Sequence, residues 1–263
     1  MGNNIDLSVL ILSCDKNKDV LKFSLEMMGK FWVQDIYNIY VGLEEEFLED
    51  SKYRILNYKS EFWTKRILHY LNVIPNKYVL IFLDDFVLEK ETQDEIIQNA
   101  NDVFLKDEKA ANVSFASYIG DKIDFNNKFY LRKRKSKSLL NWQVGIWDKD
   151  KLINLLSETE SPWESEILGS YRAEKLTDYN FYCIKEEYPN WPFVYNRGWL
   201  IVGGIWNQQE VKRLQNVLKI KINLGNREIK NVSEIKRKSI IKRLRNKISI
   251  YYQYYLIRRR QIK

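Results

Sequence analysis

Three near-continuous apolar runs constrain this chain more than any other feature: "LSVLIL" at 7–12, "DIYNIYVGL" at 35–43 and "YVLIFL" at 78–83. A strand that is apolar at almost every position, rather than at every second one, must be covered on both faces. Parallel sheets meet that demand, because their crossover helices lie on the faces. The intervening segments read as those helices. Apolar residues fall at 20, 21, 25, 28 and 31 after the first run. Trp63, Ile67, Tyr70, Leu71 and Ile74 share a face within 60–75, which Pro75 closes. A short strand at 53–58 and a helix at 92–105 continue the alternation. The expected fold is α/β, with a single mainly parallel central sheet and helices on both faces.

The second half is less regular. Strands are expected at 111–118, at 139–147 and, as an edge strand or hairpin, at 129–137. A short helix at 148–156 has Asp148 as its N-cap, and a further helix spans 161–173. A closing strand with a glycine turn is expected in 193–206. At 263 residues, 45% hydrophobic and 30% charged, the composition is that of a folded globular chain. Cys14 and Cys183 stand alone, without metal-ligand spacing or a disulfide framework, which points to a reducing cytosol. The N-terminus lacks the basic flank of a signal peptide, and no stretch reaches the ~20 apolar residues that span a bilayer.

In an open parallel sheet, ligands bind beyond the carboxyl ends of the strands. Three polar strand ends would converge there: Ser13-Cys14-Asp15, Gly42–Glu46 and Asp84-Asp85. The last is the most telling. Two adjacent like charges at the end of a buried strand repel, and no basic residue lies within three positions of them. A hard divalent cation, Mn²⁺ or Mg²⁺, accounts for such a pair, since one or two carboxylates with substrate phosphates complete its shell. Asp84 and Asp85 are therefore the candidate metal ligands.

This arrangement of strands and helices, with a Trp63-x-x-Arg66 helix, an apolar strand ending in Asp-Asp, "NWQVGIWDKDKLINLL" and "SPWESE", resembles the GT-A class of nucleotide-sugar glycosyltransferases. It is similar above all to bacterial enzymes of capsular and surface polysaccharide synthesis. The likeness covers roughly 5–206 and is to the variant with two adjacent aspartates, since Phe86 stands where the usual Asp-x-Asp motif has its second acid. It implies a GT-A-like, Rossmann-like domain and transfer from a nucleotide-diphosphate sugar, with UDP the expected nucleotide, to a saccharide or lipid-linked saccharide. It further implies that Asp15 and Glu44 lie near the nucleoside with Trp63 and Asp84, and that Arg66 neutralises the diphosphate. Asp85 would hold the metal. An inverting transfer needs a carboxylate base, and the resemblance places it in "SPWESE". Glu164 there also suits a capping box with Ser161. Glu166 has no capping task and is the preferred base.

Residues 230–263 hold 12 Lys and Arg against the single acid Glu234, a local +11 in a chain of +8, so residues 1–229 carry about −3. The basic character belongs to this tail, which argues against a globally basic nucleic-acid binder. Within 239–260, Ile240, Ile241, Leu244, Ile248, Tyr251, Tyr252 and Tyr255 share one helical face. A basic amphipathic helix of this kind suits an anionic membrane surface. The expected organisation is a catalytic domain at 1–229 and a basic helical tail at 230–263, with the protein cytoplasmic or peripheral on the cytoplasmic face. Two other classes share part of the pattern. One is a non-catalytic nucleotide or nucleic-acid binder using the tail. The other is a metal-dependent nucleotidyltransferase, against which stands the lack of a Walker-type glycine-rich loop.

Overall fold

The apolar runs pair as their composition demands. In the computed structural model, which describes residues 6–32, 37–46, 52–118, 120–188, 191–196, 200–234, 252 and 255, β1 (Leu7–Leu12) lies parallel to β2 (Asn38–Leu43) on one side. On its other side it pairs in parallel with β4 (Tyr78–Leu83). β3 (Arg54–Asn57) extends the sheet beyond β2. The remaining main-sheet strands are β5 (Ala110–Ser114), β6 (Lys122–Asp124), β7 (Phe129–Arg132), β8 (Gly145–Asp148) and β9 (Asn180–Ile184). The order is β3-β2-β1-β4-β8-β5-β9-β7-β6. Pairing is antiparallel at β4–β8, β8–β5, β9–β7 and β7–β6, and parallel elsewhere. Only β7 and β8 therefore run against the rest. The fold is α/β with a mixed, largely parallel sheet.

Period-two alternation sends the two faces of each strand to different cores. Val9 and Ile11 of β1, with Leu80 and Phe82 of β4, pack against α1 (Lys18–Phe31) and α3 (Asp94–Lys106). Leu10, Leu12, Val79 and Ile81 face α2 (Trp63–Val73), α4 (Lys149–Leu155) and α5 (Pro162–Lys175). The outer side of α1, through Val20, Phe23 and Met27, packs against a small second sheet and a last helix. That sheet comprises β10 (Ile201–Val202), β11 (Ile205–Asn207) and β12 (Ile229–Lys230), and the helix is α6 (Gln208–Leu218). No helix among the described residues is long and apolar enough to cross a membrane.

The irregular half departs from expectation in four places. The strand expected at 139–147 forms only at Gly145–Asp148. Before it the backbone is satisfied by side chains instead of a ladder: Ser170 Oγ takes the N–H of Leu140 at 3.0 Å and Glu166 Oε1 that of Trp142 at 3.0 Å. Of the two alternatives at 129–137 the hairpin is the one that forms, with β6 covering the outer side of β7, but the strand stops at Arg132. The strand expected at 111–118 ends at Ser114. In the closing segment the expected glycine turn is present, Gly203 and Gly204 at φ +61° and +83°, but it joins two short strands, β10 and β11, of the small sheet. The expected tail helix at 239–260 lies outside the described residues except for Tyr252 and Tyr255, both helical and exposed.

One close contact joins sheet to helix at the edge where the polar ends gather. A Cβ at Gly42 would fall 2.4 Å from Cε2 of Tyr70, whose hydroxyl donates to Leu43 O at 2.6 Å. Only a bare backbone lets the Tyr70 ring lie on β2. Gly42→Ala should destabilise the protein by about 1–3 kcal/mol through overpacking. Urea unfolding monitored by circular dichroism measures it, and an unchanged midpoint would contradict the contact.

Candidate active site

The chain steps from β1 outward to β2 and β3, then returns to the opposite side of β1 as β4. This reversal of strand order falls between β1 and β4, and the crevice beyond the carboxyl ends at such a reversal is the location favoured for ligands in open α/β sheets. Pairing continues past the strand ends. Asp84 N donates to Leu12 O at 3.0 Å and Ser13 N to Gly42 O at 3.1 Å. Ser13 Oγ then donates to Asp84 Oδ2 at 2.6 Å, so the three polar ends expected on one edge are brought together.

Asp15 opens a one-turn 3-10 helix, Asp15–Asn17, and its carboxylate is taken up by backbone. Oδ1 accepts from Glu44 N at 3.1 Å and Glu46 N at 3.3 Å, and Oδ2 from Glu45 N at 3.1 Å. Glu44 reciprocates, accepting Asp15 N at Oε2 at 2.8 Å. The two acids thus lock the loops after β1 and β2 to each other. The second oxygen of Glu44 lies 2.6 Å from Nη1 of Arg66, a buried residue of α2. That contact is an ion pair outside hydrogen-bond geometry. Neither Arg66 Nε nor Nη1 has a hydrogen-bond partner among the described residues. A buried N–H left unpaired costs on the order of 1–3 kcal/mol, more for a charged group. A guanidinium held with donors to spare is suited to an oxyanion.

Asp84 is buried and Asp85 partly so, and neither forms an ion pair among the described residues. Burial pushes the Asp84 carboxyl up to about 6, although hydrogen bonds from Ser13 and Asn17 and the charge of Arg227 pull the other way. Burial, and then the charge of Asp84, lift Asp85 to about 7. Among the described residues no cluster of three or more His, Cys, Asp or Glu side chains is arranged to hold a metal. Two crowded carboxylates without a cation nonetheless fit a hard ion that takes its other ligands from phosphate and water. The Cys14 thiol, on the same loop as Ser13 and Asp15, is pushed up by burial and then by the charges of Asp84 and Glu44.

A second group lies along the same edge. β8 is antiparallel, so the residues entering it, Trp142 to Val144, meet the carboxyl end of β4. Trp63, at the start of α2, makes an edge-to-face contact with Trp142 at 4.7 Å, and Trp142 Nε1 donates to Ser165 Oγ at 2.9 Å. Glu166 is half-buried on α5 beside them, and burial raises its carboxyl against the bond from Trp142 N. Glu164 is engaged in the capping box, its Oε2 accepting Ser161 N at 2.9 Å. Trp142 and Trp147 are core residues at 3% and 1% exposure, whereas Trp163 is 67% exposed. His69, the single histidine, stacks on Tyr58.

The basic run Arg132–Lys137, a candidate contact for an anionic acceptor, is placed away from this edge. It leaves β7 beside the amino end of β9 and lines a groove with Tyr179 and Phe181. Two of its charges are structural: Arg132 donates to Ser138 O and Lys137 O at 2.9 and 2.6 Å, and Arg134 caps the end of α5 at Leu176 O and Thr177 O. Sequence reasoning missed Asn17 and Arg227, which belong to the crevice through contacts no local pattern announces.

The carboxylate pair weakens the fold that carries it, because two buried like charges repel. Asp85→Asn should therefore raise the melting temperature of the metal-free protein by roughly 2–4 °C at pH 8, where both acids are ionised. Differential scanning calorimetry in EDTA measures it, and a lower melting temperature would mean that Asp85 supports the fold.

By sequence, no family model and none of the curated proteins matches this chain. Among solved structures it is similar to a cytidylyltransferase from Leptospira borgpetersenii, at TM-score 0.40 and 14% identity over 65% of this chain and 72% of that one. It is similar to S. aureus TarS 1–349 in complex with UDP, at 0.43 and 13%, over 67% of this chain and 59% of that one. It is also similar to a mannosyltransferase from Pyrobaculum calidifontis in complex with GDP-Man and Mn²⁺, at 0.45 and 9%, over 68% and 54%. The chain thus spans little more than half of the last two.

Proposed function

We propose that this chain is a glycosyltransferase that moves a sugar from a nucleoside-diphosphate sugar, with UDP the expected nucleotide, to a saccharide or lipid-linked saccharide. The observation that carries the reading is the pairing of opposites at one sheet edge: Asp84 and Asp85 crowd together at the β1/β4 reversal, and a buried Arg66 with unused donors is joined to them through Glu44, Asp15 and Ser13. A metal–diphosphate complex matches both, since it brings a cation to the acids and phosphate oxygens to the guanidinium. Asp85 and Asp84 would hold the Mn²⁺ or Mg²⁺. When bound, the ion supplies positive charge that stabilises a departing diphosphate.

Arg66 binds and orients the diphosphate through its planar fork. Asp15 and Glu44 shape the nucleoside side of the crevice by locking its two loops, and Trp63 borders the approach from α2. Glu166 acts as the base. It takes the proton of the acceptor hydroxyl as that oxygen bonds to the anomeric carbon, while the bond from that carbon to the diphosphate breaks and its electron pair leaves with the nucleoside diphosphate. A single displacement of this kind inverts the anomeric centre. Burial favours this role, because a carboxylate held above its ordinary range is a stronger proton acceptor. Membrane attachment through 239–260 is part of the same proposal; of that segment the structure describes only Tyr252 and Tyr255, both exposed.

A thermal-shift screen of UDP, GDP, CDP and dTDP, each with and without Mn²⁺, tests the donor site. One nucleotide should stabilise the protein in a metal-dependent way, by about 2.7 kcal/mol at a hundredfold excess over Kd. Failure of all four would reject the reading. Glu166→Gln should keep that shift and lose roughly 10²–10⁴-fold in transfer rate, whereas Glu164→Gln, whose amide can still complete the capping box, should lose far less. A raised carboxyl must lose its proton before it can act. The acid limb of kcat/KM should therefore lie above the 4.5 of an ordinary glutamate, and a limb at or below that value would exclude Glu166.

A further inference from the structure

The basic run Arg132–Lys137 is more firmly built than a solvated edge requires. The usual task of such a run, blocking strand pairing, does not arise, because β6 covers the outer side of β7 and the run continues past the end of that strand. The loop is held from within. The guanidinium of buried Arg132 lies over the Tyr118 ring at 4.1 Å and donates to Lys137 O and Ser138 O. Ser136 N donates to Lys133 O at 2.8 Å and Ser136 Oγ to Asp121 O at 3.2 Å. Ser138 is turned to φ +56°, a region that residues with a Cβ seldom enter. Around this loop runs a groove of about 910 Å³, whose lining sets Arg132, Lys133, Arg134, Lys135 and Lys137 against the single acid Asp121. Asp121 meets Lys133 only at 3.5 Å, and exposed Lys135 and Lys137 form no ion pair among the described residues. A cleft lined by one sign of charge concentrates the opposite ion.

One helix and the strap beside it join this groove to Glu166. Arg134 donates to Leu176 O and, at 2.9 Å, to Thr177 O past the carboxyl end of α5. Leu140 N donates to Ser170 Oγ at 3.0 Å midway along it, and Trp142 N to Glu166 Oε1 at 3.0 Å nearer its start. Residues 134–142 therefore run along α5 in the opposite direction. From Glu166 to Leu176 the helix advances about 15 Å. Trp163, Ile167 and Tyr171 recur every fourth position and form one row on α5. Trp163 and Ile167 are exposed, and Trp163 lies one turn before Glu166 on the same side.

We propose that the groove at Lys133, Lys135 and Lys137 is a second binding site for an acidic saccharide chain, which it holds by its anionic groups while the end of the same chain passes Trp163 to reach Glu166. This rests on Glu166 being the base of the transferase proposed above, and it names the acceptor as an acidic saccharide. Both halves of the surface are then used. The charges take the carboxylate, phosphate or sulfate groups of the chain, and the exposed indole takes the apolar side of a sugar ring. A polyanion without rings would leave the row on α5 without a task. A single sugar cannot span the length of helix between the two places, so a short acceptor occupies only the rim and a long one occupies both.

The test is isothermal titration of full-length protein with oligogalacturonates of increasing length. Malto-oligosaccharides serve as the neutral counterpart and inorganic polyphosphate as the anion without rings. Long oligogalacturonates should bind, and neutral chains of equal length should bind far more weakly. The combined variant Lys133→Gln, Lys135→Gln and Lys137→Gln removes exposed charges and no bond that holds the loop, and it should weaken oligogalacturonate about tenfold. The basic tail carries charge of its own, so Lys236→Gln, Lys238→Gln and Lys242→Gln together are the control and should cost much less. An equal loss in the control means that net charge alone holds the probe, and overturns the proposal. So does an oligogalacturonate that the wild type does not bind, or that the groove variant binds unchanged. Trp163→Ala should weaken oligogalacturonate about fivefold and leave polyphosphate unaffected. If it alters neither, the groove takes a bare polyanion such as a nucleic acid, and the saccharide assignment falls. The groove lies at the amino end of β9, which runs parallel to β5, on the sheet edge opposite the crevice. The groove variant should therefore keep the Mn²⁺-dependent nucleotide shift. Saccharide binding without a shift from any of UDP, GDP, CDP and dTDP upholds the groove and rejects the transferase, and the reverse pattern rejects the groove alone.

Discussion

Parallel pairing of β1 with both β2 and β4 is the constraint from which the rest follows. A parallel neighbour cannot be reached by a tight turn, so every crossover must carry the chain back across a face of the sheet. All three carboxyl ends then open on one edge. Their backbones stay close enough there to bond past the strands, as Asp84 N to Leu12 O and Ser13 N to Gly42 O show. The crevice is thus a geometric product of burying β1 on both faces. What the sequence adds is the choice of polar residues placed at its rim.

Those residues are held at some cost to the fold. Asp84 and Asp85 are crowded together, and Arg66 keeps donors unpaired beside a glutamate it meets off-axis. A chain selected for stability alone would separate the first two and satisfy the third. Clusters of unsatisfied charge of this kind gather where a ligand is to supply the missing partner. By contrast both oxygens of Asp15 and Oε2 of Glu44 are taken by backbone N–H groups, which keeps the two loops from drifting apart.

Legibility followed the range of the interactions. β1 and β4 could be read at the right residues because an all-apolar strand announces its burial by itself, and Ser161 with Glu164 could be read as a cap because the motif closes within four residues. The stretch 139–144 misled, because its apolar residues suggest a strand while its N–H groups are taken by Ser170 and Glu166, about twenty-five to thirty positions away. α6 did carry a legible signal, Val211, Leu214 and Leu218 at i, i+3 and i+7 after the Asn207 cap, and was passed over. β9 is only five residues long and offers far less to read. Arg227 had no signal at all, since nothing near it in the chain hints at the Asp19 and Asn17 to which it donates.

The single antiparallel strand inserted between β4 and β5 has a consequence for how such a molecule can change. Because β8 enters the sheet at the edge where β4 leaves it, the two rims of the crevice come from separate stretches of chain, one within 13–85 and the other within 139–167. They meet at Trp63 on Trp142 and are tied besides at Thr64, whose N–H and hydroxyl donate to Glu160 O and whose Oγ1 accepts Glu160 N. A change in the backbone of one rim is therefore carried to the other through that knot. The fold thus leaves the side chains of the proposed acceptor rim free to vary, while Thr64 and Glu160 keep its backbone in step with the other rim.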